Sequence, residues 1–347
     1  MSYLYVSEKG ASINFQQNYF VVSYKDGMTR QIPAETLESV ALFGNIQVTT
    51  PCMQQLLERG IPVTYFSTGG KYFGRLESTK HINIARQKKQ IFLSEDADFC
   101  VAFSKQIIDA KIRNQVVIIN RYIRSAQVTL DDEIMQMKNS IRKLPECKEK
   151  NEIMGYEGMA SRAYFRAISK IIHPDFKFSG RSKRPPKDAF NSLLSLGYTL
   201  IMYELFGVLQ SRGLNPYAGF LHSDREQHPT LASDMMEEWR AVLIDSLALS
   251  LIQGREIMPE HFVRDEESQG VFLTKEGMKI FIKKFESKLR TEVKYLNYID
   301  GRKSFRSAIF LQIGELVKAI EGGDSSLYQP ITIRLAEGGE AYGQFGI

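Results

Sequence analysis

The stretch GFLHSDREQHPTLASDMMEEWRAVLIDSLALSL, residues 219–251, decides how the chain is read. Pro229 suits the first turn of a helix, where its missing N–H costs nothing. The run behind it carries Met236, Trp239, Leu243 and Leu247 at three- and four-residue steps, the spacing of one buried helical stripe. Asp234 falls on the opposite side. Glu237 and Glu238, three and four positions on, stand beside it, and Asp245, eleven on, returns to nearly the same face. Adjacent carboxylates repel, so the cluster needs a reason. One is a solvated acidic face relieved by Arg225 and Arg240. The other is a hard divalent cation, which oxygen ligands bind and whose charge removes the repulsion. His222, in the loop just upstream, adds an imidazole, and mixed His and carboxylate ligation with open positions suits Mn²⁺ or Mg²⁺. Local spacing leaves both readings open.

Working outward, helical periods run from about residue 83 onward. Helices are expected near 83–94, 96–125, 130–143, 151–172, 187–211, 230–253, 274–297 and 303–321, with Pro or Gly in the separators. Within the fourth, Gly155, Glu157, Gly158 and Ala160 precede Tyr164 and Phe165, so small residues flank one carboxylate and let a backbone or phosphate approach it. The first 76 residues read differently. Runs near 3–6, 11–15, 19–24, 29–32 and 37–43 are rich in β-branched and aromatic residues, and Lys25-Asp26-Gly27 is a hairpin turn. A helix opens at Thr50-Pro51 and stops at Gly60, and residues 61–66 and 71–76 form a last hairpin. The fold class is therefore α+β: a small N-terminal β-rich domain over 1–78, a larger all-α domain over 83–334, and a loose tail over 335–347.

The chain has 347 residues, 43% apolar and 24% charged, ordinary for two globular domains. No apolar stretch reads as a membrane span, and the start MSYLYVSEKG lacks the features of a secretory signal, so no membrane is expected. Cys52, Cys100 and Cys147 are far apart, odd in number and lack CxxC spacing, which argues against a thiolate zinc site and a disulfide framework and fits a cytoplasmic protein. The net charge of +5 is uninformative, but its distribution is not. Basic clusters at 86–89, 105–124, 181–187 and 275–306 would surround acidic stretches at 131–158 and 224–245. Basic walls around an acidic centre suit a metal-using enzyme acting on an anionic polymer.

The two acidic stretches together resemble the CRISPR-associated integrase family, the universal enzyme of spacer acquisition. In that family a Glu in a Gly-x-Glu-Gly-like segment precedes Tyr-Phe, a Gly-Phe-Leu-His element follows, and an Asp-x-x-Glu helix begins beyond a Pro. Those elements here are residues 155–165, 219–222, and Asp234 with Glu237. Residues 111–115 (KIRNQ) resemble the family's Lys-x-x-Asn-Gln helix, and 191–198 (NSLLSLGY) its Asn-x-Leu-Leu-x-x-Gly-Tyr helix. Leu37-Glu38-Ser39-Val40 before Phe43-Gly44 resembles its β domain. The likeness covers roughly residues 1–334.

What the resemblance implies is specific. Glu157, His222 and Asp234 are the expected metal ligands, Glu237 a further active-site acid, and Asn191 and Tyr198 positioning groups. It favours Glu237 over Glu238 and His222 over His228. The expected activity is metal-dependent DNA cleavage and insertion of short fragments into a CRISPR array, with a DNA 3′-hydroxyl as nucleophile. The expected partners are double-stranded DNA (protospacer and CRISPR repeat), a second copy of the chain docked through the β domain, and a small ferredoxin-like adaptation protein completing a heterohexamer. Binding should be mostly to phosphates, with Lys111, Arg113, Arg181, Lys183, Arg184 and Lys187 as candidates. A stand-alone structure-specific nuclease and a non-catalytic helical scaffold are the competing readings.

Overall fold

The structure is a computed structural model, and it describes residues 2–126, 128–182, 185–294 and 296–334. Lys183, Arg184 and the tail over 335–347 lie outside those residues.

The N-terminal part holds two four-stranded sheets. Strands β1 (Ser2–Val6), β5 (Leu37–Phe43), β7 (Val63–Phe66) and β8 (Tyr72–Leu76) form one, in the order β1-β5-β7-β8. The first two pairings are parallel, and β8 closes antiparallel. Strands β2 (Ser12–Gln16), β3 (Tyr19–Ser23), β4 (Thr29–Pro33) and β6 (Gln47–Val48) form the other, in the order β4-β3-β2-β6. Between β3 and β4 the turn runs through Gly27 at φ 85°, as the Asp-Gly pair requires. Side chains alternate along each strand. In β1, Leu4 and Val6 enter the core with Ile13, Phe20, Val22 and Val63, while Tyr3 and Tyr5 face the helical part. Helix α1 (Thr50–Arg59) has Pro51 in its first turn and ends at Gly60, whose φ of 72° lets its N–H reach the Leu56 and Leu57 carbonyls.

Helices α2 (Ile84–Glu95), α3 (Ala97–Ala126), α4 (Asp131–Lys143), α5 (Lys150–Ile171) and α6 (Ala189–Ser211) follow. The 30-residue α3 packs along α5, and α5 along α4. Helix α6 is long and apolar enough to cross a bilayer, contrary to the sequence expectation that no stretch is. Its faces are buried against neighbouring helices, as an all-apolar core helix requires. The helix expected at 230–253 is three segments, α7 (Thr230–Met236), a π-helical turn over Arg240–Asp245, and α8 (Ser246–Gln253). Helix α9 (Lys275–Arg290) ends seven residues before the expected 297, because Glu292–Val293 (β11) leaves the helix to pair with Lys303–Ser304 (β12). A second ribbon, β9 (Phe262–Arg264) with β10 (Val271–Leu273), also interrupts what reads as all-α. Helix α10 (Phe305–Gly322) completes the bundle.

The two parts are joined by aromatic and ionic contacts. Tyr72 stacks on Tyr203 of α6 at 3.8 Å between ring centroids. Arg306 of α10 pairs with Glu204 and Glu286 and lies over the Tyr3 ring. Tyr5 donates to Glu286. These contacts hold the β1-β5-β7-β8 sheet against α6, α9 and α10.

Candidate active site

Asp234 organises the site. It is fully buried, yet its carboxylate accepts four N–H donors from the loop before it: Phe220 N at 2.7 Å and Leu221 N at 3.0 Å on Oδ2, His222 N at 3.1 Å and His222 Nδ1 at 2.7 Å on Oδ1. Charge-assisted bonds of this kind are stronger than neutral ones. The loop needs Gly219 to approach so closely, since a Cβ there would fall 2.6 Å from Asp234 Oδ2 and 2.5 Å from Thr230 Cγ2. Because a carboxylate only accepts, the His222 ring donates from Nδ1, which fixes the tautomer and leaves Nε2 with its lone pair. Burial pulls the His222 pKa down, but the Asp234 bond and the Glu237 charge outweigh it and hold it above its ordinary value.

Nε2 of His222 lies 3.9 Å from Glu237 Oε1. Glu237 and Glu157, from α7's end and α5, share the ammonium of Lys111, which reaches in from α3 and pairs with Glu157 Oε1 and with Glu237 Oε2, the latter at 2.7 Å. Arg240 Nη2 is 3.0 Å from Glu237 Oε1, and Ser161 Oγ donates to Glu157 Oε1 at 2.7 Å. Burial raises the pKa of both acids. For Glu237, Arg240, Lys111 and His222 reverse this and hold the carboxyl at about 2. For Glu157, Lys111 outweighs burial and lowers the pKa. Lys111 is likewise buried, which favours its neutral form, but the two carboxylates raise its pKa.

The donor set suits a divalent cation. Glu237 Oε2 has no partner of hydrogen-bond geometry among the described residues, its Lys111 contact being an ion pair alone. Two ionised carboxylates share one cation, and one of them faces an imidazole nitrogen with a lone pair.

A family model described as CRISPR associated protein Cas1 matches residues 4–287. The chain belongs to the Cas1 family. The CRISPR-associated endonuclease Cas1 of Mycobacterium tuberculosis is 36% identical over 334 residues, covering 96% of this chain and 98% of that one. The solved Cas1 of Thermotoga maritima matches with a TM-score of 0.79 and 25% identity, over 93% of this chain and 97% of that one. A chain of a Cas6-RT-Cas1–Cas2 complex matches with a TM-score of 0.81 and 27% identity, over 95% of this chain but 36% of that larger one. Membership places the protein in the CRISPR endonuclease and spacer-integrase class that the sequence resemblance implies.

Within this Cas1 fold the expected residues separate by burial and by partner. Glu157, His222, Asp234 and Glu237 are brought together, but Asp234 faces away from the other acids and into the loop. Of the two readings of the acidic cluster, a solvated face does not fit, since Asp234, Glu237, Glu238 and Asp245 are all buried. Glu238 belongs to a different environment, accepting from Tyr328 Oη, Ile331 N and Gln312 Nε2, and burial pushes its pKa up to about 8. Lys111 is not a surface phosphate contact, as expected from sequence, because its ammonium is buried between two carboxylates. Arg113, on the outer side of α3, pairs with Asp109. Arg181 and Lys187 are exposed. Asn191 and Tyr198 are buried, and Tyr198 Oη donates to Asp245 Oδ1 at 2.5 Å. The sequence reading missed Ser161 and Arg240 as site residues. Their signals were present, at i+4 from Glu157 and i+3 from Glu237.

Proposed function

We propose that this protein cleaves and joins DNA phosphodiesters with a divalent cation, Mn²⁺ or Mg²⁺, held by Glu157, His222 Nε2 and Glu237, and that Asp234 orients His222 rather than ligating. The observation that carries this reading is the split between the two acids. Asp234 is saturated by four N–H donors of the 219–222 loop, whereas Glu237 stands 3.9 Å from His222 Nε2 and shares Lys111 with Glu157. A ligating imidazole that donates its other N–H to a carboxylate is the usual arrangement around a metal.

When bound, the cation polarises the scissile phosphate and favours deprotonation of the attacking hydroxyl. The chain's own groups do the rest. Asp234 holds the imidazole in one tautomer and one orientation. Lys111 and Arg240 keep Glu237 ionised and place positive charge where the phosphate's negative charge has to be accommodated. Arg113, Arg181, Lys183, Arg184 and Lys187 are the candidate backbone contacts. Asn191 and Tyr198 are positioning groups near the site, through their contacts with Arg181 and Arg240. The nucleophile in integration is a DNA 3′-hydroxyl, so no covalent enzyme intermediate is required. The biological setting we propose is a cytoplasmic homodimer joined through the β domain, with a small ferredoxin-like partner, acting on protospacer and repeat DNA; the likeness to a chain of a Cas6-RT-Cas1–Cas2 complex supports a partner protein.

The test is joining of a 3′-hydroxyl duplex end into a repeat-containing plasmid with Mn²⁺ and the small partner. Joined product that disappears in Glu157→Ala and His222→Ala supports the proposal. Hydrolysis without joining makes the protein a stand-alone nuclease, and unchanged activity in both variants overturns the site.

A further inference from the structure

Tyr198 carries two guanidinium groups. Arg181 Cζ lies 5.2 Å from its ring centroid and Arg240 Cζ 4.6 Å. Two cations on one ring repel each other, so the arrangement has to be enforced, and it is. Asn191 Oδ1 accepts from Arg181 Nη1 at 2.7 Å and from Ser182 N at 3.1 Å. Its Nδ2 donates to Gly180 O and to Asp188 Oδ2, and its own N–H is held by Asp188 Oδ1. One fully buried amide at the start of α6 therefore fixes the 180–182 loop and aims the Arg181 side chain at Tyr198.

Arg181 is not neutralised by what holds it. Arg181 is exposed and, among the described residues, has a neutral amide and a neutral ring as its partners and no carboxylate within ion-pair distance. Arg240 is ion-paired through one nitrogen with Glu237, and a quarter of its side chain is exposed. Planar forks with unused donors are the groups that recognise a phosphodiester bidentately. Arg240 also ties the location to the metal centre through Glu237.

We infer that Arg181 and Arg240, gathered on Tyr198, form a seat for a DNA backbone phosphate next to the scissile one, with Tyr198 and Asn191 as its positioning residues. The inference rests on the DNA-joining reading above and extends it to the path of the strand, from the acids across Tyr198 to Arg181. A seat held in place before DNA arrives avoids the cost of ordering a long side chain on binding.

The experiment measures duplex-DNA affinity of the full chain, without divalent metal, across a range of NaCl. Losing one phosphate contact lowers the slope of log K against log[NaCl] by about 1. Arg181→Gln, at an exposed position that leaves the fold alone, is expected to lower it by about 1, and the Arg181→Gln/Arg240→Gln pair by about 2. Tyr198→Leu removes the ring and is expected to match Arg181→Gln, as is Asn191→Leu. Tyr198→Phe keeps the ring but loses the bond to Asp245, and its slope is expected to match the wild type. An unchanged slope in Arg181→Gln overturns the seat, as does an equal fall in Tyr198→Phe and Tyr198→Leu, which marks Tyr198 as merely structural. A wild-type chain that binds DNA but neither cuts nor joins it with Mn²⁺ defeats the catalytic reading instead, and the slopes still decide the seat.

Discussion

Asparagine at 234 and glutamine at 237 should fail in different ways. In Asp234→Asn the amide nitrogen has to replace Oδ1 or Oδ2, and each oxygen now accepts two N–H donors. Whichever way the amide turns, two buried donors meet an NH₂ group. A buried donor left unsatisfied costs about 1–3 kcal/mol, so the variant should lose about 2–6 kcal/mol of stability. Its effect on Mn²⁺ is indirect, through a His222 ring no longer held, and such second-layer losses are about 10–100-fold. Glu237→Gln behaves the opposite way. It keeps an oxygen for Lys111 or Arg240 but removes the ionised oxygen nearest His222 Nε2, so Mn²⁺ affinity should fall by more than about 100-fold. Urea unfolding is followed by the fluorescence of Trp239, the chain's one tryptophan, which is buried two residues from Glu237 and donates to Gln312 at 2.7 Å. Mn²⁺ binding is read directly by electron paramagnetic resonance of the unbound ion. A stable Asp234→Asn protein that binds no Mn²⁺, beside a Glu237→Gln protein that binds it within tenfold of wild type, refutes the assignment and returns Asp234 to the ligand set.

Two further outcomes follow from the same buried charges. Lys111→Met removes the ammonium that Glu157 and Glu237 share, so the metal-free protein should lose about 3–5 kcal/mol, the usual cost of stranding a buried charge. Mn²⁺ should bind more tightly than to the wild type, because nothing competes for the two carboxylates; equal or weaker binding in a titration contradicts this. The second concerns Asp245, whose pKa burial raises from 3.8 to about 6, against the opposing bonds from Tyr198 and Tyr164. A carboxyl with a folded pKa above its unfolded value favours the folded state in its protonated form. That contribution is fully present below about pH 4 and is lost as pH rises through 6. The wild type should therefore lose about 3 kcal/mol of stability between pH 4 and 7.5 from this residue, and Asp245→Asn should not. Parallel stability-against-pH curves for the two proteins would rule this out.

Much of this was visible in the order of residues, and what was not has physical causes. The β-rich start, the Asp26-Gly27 hairpin and the Pro51 and Gly60 helix limits follow from local φ preferences, and the structure has them. The early end of α9 was hidden because residues 292–297 continue an apolar spacing, and only pairing with Lys303–Ser304 reveals a strand. Glu157, His222, Asp234 and Glu237 could be named from motif order. Which acid faces which neighbour depends on the path of the 219–222 loop, and three of its backbone N–H groups are invisible to any side-chain pattern. Lys111 was misplaced for a related reason. A lysine in a basic helix reads as a surface group, and its burial is decided by Glu157, 46 residues away.

The acidic helix also shows why spacing alone could not sort its carboxylates. Asp245 stands eleven residues after Asp234, which in an unbroken α-helix returns it to nearly the same face. Between them the backbone is π-helical over Arg240–Asp245. A π turn takes in one extra residue, which rotates everything beyond it by about 100°. No proline or glycine between 230 and 253 marks the change. Its effect is to set Asp245 beneath the Tyr164 and Tyr198 hydroxyls instead of beside Asp234. The acids then differ in charge as well as place. Glu237, among Arg240, Lys111 and His222, is held at about 2, while Glu238, among neutral donors only, is pushed up to about 8. At neutral pH two adjacent glutamates therefore carry different charge, and the ionised one is the one that faces Glu157. A divalent cation entering there meets the carboxylates it needs, with the rest of the helix's acidity confined to groups already paired with tyrosines and amides.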